Sequence, residues 1–107
     1  MKQNVKLDFE IHWELNANKL LDDPMGRGLK SLGKQLPYRV YIEPLGEMIS
    51  DRSFELYDIF WIKESHYLEL EHGHYSLRVE DVTGWMNLHV KNIQLNTVNI
   101  DTASFTL

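Results

Sequence analysis

Val5-Lys6-Leu7-Asp8-Phe9-Glu10-Ile11-His12-Trp13-Glu14-Leu15 is the stretch that decides the fold class. Its apolar residues fall on the odd positions and its polar ones on the even. Side chains of an extended chain alternate between two faces, so one face here is apolar and the other wet. A helix would instead need apolar residues three and four apart. The pattern predicts an amphipathic strand that ends at Asn16-Ala17-Asn18.

Period two recurs along most of the chain. Tyr38, Val40 and Ile42 alternate with Arg39 and Tyr41 as far as Pro44, and Leu45–Ser50 reads as a loop. Phe54–Ile62 is apolar on both sides, so its period fits a buried helix as well as a strand; its aromatic and β-branched residues favour a central strand. Tyr67–Glu71 and Tyr75–Glu80 alternate on either side of His72-Gly73-His74, which reads as a hairpin with glycine at its turn. Thr83-Gly84 marks another turn. Met86, Leu88 and Val90 then continue as a strand, and a change of phase to Ile93 and Leu95 predicts a bulge. Val98–Leu107 is polar enough for an edge strand.

One segment breaks the period. Asp23 and Pro24 suit the start of a helix, and Met25, Leu29, Leu32 and Leu36 recur at helical spacing until Pro37. Gly26, Gly28 and Gly33 keep that helix short, since each costs about 1 kcal/mol relative to alanine. The expectation is a single β-rich domain over residues 1–107. It is a small antiparallel sandwich or barrel of about seven strands, with a helical insertion at about 20–36 after the first strand. Phe9, Ile11, Trp13, Val40, Ile42, Phe60, Leu77, Val79, Leu88 and Val90 are its expected core.

Composition narrows the function classes. The 107 residues carry a net charge of −5 and no cysteine, which removes disulfides and cysteine-based metal sites. The first residues lack the apolar run of a secretion signal, and no stretch is long enough to span a bilayer, so the expected location is cytoplasmic by default. The charge is uneven. Residues 24–42 hold Arg27, Lys30, Lys34 and Arg39 and no acid, whereas residues 43–81 hold ten acids against three bases. An acidic balance disfavours duplex nucleic acid, which needs clustered positive charge. The four cations are the candidate contacts for an anion or an acidic partner, and binding through them should weaken with salt.

Three motifs invite sharper readings. Gly28-Leu29-Lys30-Ser31-Leu32-Gly33-Lys34 has the spacing of a phosphate-binding loop, but Gln35 stands where a Ser or Thr should hold magnesium. His72 and His74 share a strand face in principle, and with Glu80 and His89 they follow the order of a cupin metal site. The step to Glu80 is too long for that family, and His72 lies in the turn. His72, His74 and His89 are therefore weak metal candidates, and neither metal nor cofactor is expected. Glu71-His72-Gly73-His74-Tyr75-Ser76-Leu77 resembles the acid-x-Gly-x-Tyr-x-apolar stretch of immunoglobulin-like sandwiches. The resemblance covers about eleven residues, to Asp81, and implies a tyrosine hydroxyl bonded back to backbone at a corner.

No serine sits in a nucleophile elbow or a triad-like setting, so no catalytic residue is nominated. The expected function is non-catalytic protein binding: an inhibitor or immunity-type protein, or a subunit of a larger assembly. The expected partner is another protein or a second copy of the chain. The alternatives are a metal-dependent enzyme centred on His72 and His74, and a carrier of an apolar ligand.

Overall fold

The computed structural model describes residues 2–16, 18, 35–55, 60–84, 86–100 and 102–107. Eight strands occupy them: β1 (Gln3–Leu15), β2 (Gln35–Glu43), β3 (Glu47–Glu55), β4 (Ile62–Leu70), β5 (His74–Asp81), β6 (Met86–Leu95), β7 (Val98–Asn99) and β8 (Ser104–Thr106). They form two antiparallel four-stranded sheets, ordered β4-β1-β6-β7 and β3-β2-β5-β8, packed as a sandwich. The expected fold class is what the chain adopts.

The alternation in β1 does what its spacing requires. Val5, Leu7, Phe9 and Ile11 are buried between the sheets, and Trp13 packs against the same core. β2 supplies Leu36, Tyr38, Val40 and Ile42 from the facing sheet. Tyr38 and Phe54 stack with ring centroids 4.5 Å apart, and with Phe9 they are the largest fully buried side chains. Apolar burial of this kind stabilises by about 1.5–3 kcal/mol per large side chain, so these two strands anchor the domain. Leu77, Val79, Leu88 and Val90 are partly buried against that core.

Several expectations change. The insertion at about 20–36 lies outside the described residues except at its end, where Gln35 and Leu36 open β2. Leu36 continues the period-two row of Tyr38 and Val40, and that row outweighs the helical spacing. Pro37 is tolerated because it lies at the end of the β2–β5 ladder, which begins at Tyr38, and only its carbonyl is used there, accepting from Val82 N–H at 3.2 Å. Leu45–Ser50 is not all loop, since the turn ends at Gly46 and β3 starts at Glu47.

Phe54–Ile62 is not one strand. β3 ends at Glu55 in one sheet and β4 begins at Ile62 in the other, because the chain must cross the roughly 10 Å between sheets. Phe60 lies in that connection, 76% exposed, and is not a core residue. β4 and β5 are strands as expected, but they are not hairpin partners: β4 pairs with β1 and β5 with β2. By crossing at His72-Gly73, the chain buries both Leu70 and Tyr75 in the core between the sheets. Val98–Leu107 likewise divides into β7 and β8, one in each sheet.

Two local expectations hold. Tyr75 donates its hydroxyl hydrogen to the Glu71 carbonyl at 2.8 Å, the backward bond implied by the resemblance to immunoglobulin-like sandwiches. The predicted bulge in β6 lies between Lys91 and Gln94. There the register with β1 slips and Asn92 takes a φ of 52°.

Candidate functional site

β3 and β4 end the two sheets on the same side of the sandwich, since side chains of both line one groove. Between them runs an open groove of about 570 Å³ lined by Ile49, Ser50, Asp51, Arg52, Lys63, Glu64, Ser65 and His66. Along β4, Glu64 and His66 share the inward face with Leu68 and Leu70, while Lys63, Ser65, Tyr67 and Glu69 point outward. The floor of the groove is therefore polar at a place where sandwiches usually bury aliphatics.

Glu64 is only 2% exposed. Its Oε2 accepts the Tyr38 hydroxyl from the opposite sheet at 2.7 Å. Its Oε1 lies 2.9 Å from His66 Nε2, and with the carboxylate ionised that nitrogen carries the hydrogen. Burial alone would push the Glu64 carboxyl up. Hydrogen bonds from His66, Ser50 and Tyr38 outweigh it, so the group is held below its ordinary value. The same contact pushes the Tyr38 hydroxyl well above its usual range, first through burial and then through the bond to Glu64. Ser50 Oγ is buried beside them without a well-aligned partner, close enough to favour both charged forms.

This arrangement is a stable bridge between sheets. Tyr38, Glu64 and His66 satisfy one another, so the charge is compensated where an unpaired one would be costly. Each carboxylate oxygen meets a hydrogen-bond partner inside the protein, and the group is out of water. The imidazole stacks on Phe9 with centroids 5.7 Å apart, which fixes its plane. The signal for this bridge is Glu64-Ser65-His66: two polar residues two apart share a strand face. His72 and His74, also two apart, instead meet Gln3 and Thr106 separately.

The outward row of β4 is also held in place. Ser65 Oγ donates to Asp8 on β1, and Lys6 lies 3.9 Å from the same carboxylate. Lys6 also sits over the Tyr67 ring, 5.8 Å from its centroid, with Tyr67 81% exposed.

The described residues place only some of the expected site residues. Arg27, Lys30 and Lys34 lie outside the described residues. Arg39 lies on the outer face of β2, its Nε 3.7 Å from Asp51 Oδ1. His72 contacts the Gln3 side chain at 3.3 Å, His74 the Thr106 hydroxyl at 2.7 Å, and His89 the Glu14 carboxylate at 2.8 Å. His89 pairs with His12, nine residues along β1 from Gln3, which at strand rise is about 30 Å. Hence His89 cannot join a metal held by His72. Among the described residues no three metal-binding side chains converge, and no helix is long and apolar enough to cross a membrane. Between the sheets Phe9, Tyr38 and Phe54 are fully buried. No family model, curated protein or solved structure matches this chain.

Proposed function

We propose that this chain is a non-catalytic protein-binding domain whose contact surface is the side of the sandwich formed by β3 and β4. The supporting observation is the pair of nine-residue strands that end both sheets there, above a groove whose buried carboxylate, Glu64, already has its hydrogen-bond partners inside the protein. An edge strand carries a row of unpaired N–H and C=O groups, and an extended segment of a partner completes that row. Charged and aromatic residues along the rim (Arg52, Lys63, Tyr67 and Glu69) supply partner choice, since such groups act on specificity and encounter more than on raw affinity. The bridge of Tyr38, Glu64 and His66 contributes by keeping the edges of the two sheets in fixed relation.

Photo-crosslinking tests this reading. A benzoylphenylalanine residue placed at Ser53 on β3 or Tyr67 on β4 should give discrete protein adducts in cell extract. The same group at Val98, on the opposite side, should give none. Equal labelling at all three positions, or none at Ser53 and Tyr67, would remove the edge from consideration.

A further inference from the structure

We propose that β4 is a self-association edge. Two copies of the chain join their β4 strands antiparallel about a two-fold axis at His66, which turns two four-stranded sheets into one of eight strands. The proposal rests on the edge-binding reading above and names the occupant.

The first support is regularity. β4 pairs with β1 through nine consecutive residues, from Gln3↔Leu70 to Ile11↔Ile62, without a register shift. β3, the neighbouring edge, is interrupted by the extra residue Ile49 between the pairs Val40↔Ser50 and Tyr41↔Met48. Bulges of that kind twist an edge away from new partners, and β4 has none.

The second support is charge. An antiparallel two-fold pairing that uses all nine residues sets residue 62 opposite 70, 63 opposite 69, 64 opposite 68 and 65 opposite 67. Each of these pairs shares a face, as continuity of the sheet requires. Lys63 then meets the partner's Glu69, and symmetry makes the contact twice. Within one copy a row across the sheet already alternates in sign: Lys91 and Lys63 flank Glu10 on either side. Lys63 ends that row at the edge, and the partner's Glu69 continues it. Among the described residues neither Lys63 nor Glu69 has an ion pair of its own, so both are available. A lone lysine on an edge discourages pairing, but one that meets a glutamate selects a register instead.

The third support is the exposed ring of Tyr67, which this pairing places across from the partner's Ser65. Because Lys6 and Asp8 already hold these two side chains, little ordering is left to be done on contact.

Sedimentation velocity on the purified chain over micromolar to submillimolar concentrations should show a monomer–dimer equilibrium. Lys63→Glu and Glu69→Lys should each weaken the dimer about tenfold, because two cross-strand pairs turn from attractive to repulsive. The double variant Lys63→Glu/Glu69→Lys should restore it, since each new glutamate again meets a lysine. Both positions are exposed, and circular dichroism of each variant checks that the fold is kept. Amide exchange in β4 should slow as concentration rises, while exchange in β7 should not. A chain that stays monomeric throughout, or a dimer indifferent to the single reversals, overturns the self-pairing. Adducts between Ser53 or Tyr67 and a different protein would still uphold the edge-binding reading in that event. Loss of those adducts as well would end both.

Discussion

The two sides of the sandwich are finished differently. On one side the sheets end in β7 and β8, strands of two and three residues. β7 is approached through Asn96 and Thr97, both with positive φ. On the other side the sheets end in β3 and β4, each nine residues long. A short edge offers too few unpaired groups to capture another strand, so brevity alone protects it. The long side has a bulge in β3, and β4 keeps its full length and register. One fold thus ends one flank in short strands and the other in long ones.

The largest expected effects probe whether the long flank is also the more firmly packed. Phe54→Ala, at a fully buried position stacked on Tyr38, should cost about 3–5 kcal/mol in urea unfolding. Phe105→Ala removes a ring stacked on Tyr75 at the short flank and should cost less, about 2–3 kcal/mol, because the three-residue strand can relax around it. Equal losses would mean that the two flanks differ in length only.

Next in size is the bridge between the sheets. Tyr38→Phe removes a donor to a buried charged acceptor and should cost about 1.5–3 kcal/mol. The pH dependence has a definite sign. The Glu64 pKa is lower in the folded chain than in the unfolded one, so its contribution is complete above the ordinary carboxylate range. It is lost as pH falls through the folded value. Urea midpoints measured from pH 7 down to pH 3 should therefore drop, and Glu64→Gln should flatten that drop. An unchanged acid limb in the variant would assign it to other carboxylates. Smaller again is Tyr75→Phe, which deletes the bond to the Glu71 carbonyl and should cost about 1 kcal/mol. Last, Val98→Thr on the short flank should stay within about 0.5 kcal/mol, as for other exposed sites.

Strands with one wet face were legible in the sequence because pleating writes burial into alternate letters. β1 and the Met86–Leu95 strand were visible for that reason. β3 was not, because Ser50 and Phe54 are its buried residues among Asp51, Arg52, Ser53 and Glu55. A strand exposed on one face and polar on much of the other leaves no period to detect. Partner choice was equally hidden. The runs flanking His72-Gly73-His74 identify two strands, yet nothing in a single strand's alternation records which sheet it joins. Glu64 and His66 escaped notice because polar letters at inward positions look like a break in the pattern. Their meaning depends on Tyr38, twenty-six residues away and in the other sheet.

The position of β1 in its sheet has a consequence for how the chain acquires its shape. β1 is an inner strand, yet its neighbours begin only at Ile62 and Met86. During synthesis Val5, Leu7, Phe9 and Ile11 must therefore wait, uncovered, while more than half of the chain is made. β2 and β3, joined by a three-residue turn, can pair at once, so that hairpin is the natural first structure. The β4-β1-β6 layer comes late, limited by the entropy of closing long loops, which places folding in the millisecond-to-second regime of sandwiches. In that interval the nascent β1 segment, apolar on every second residue, is the part of the chain most in need of shelter from its neighbours.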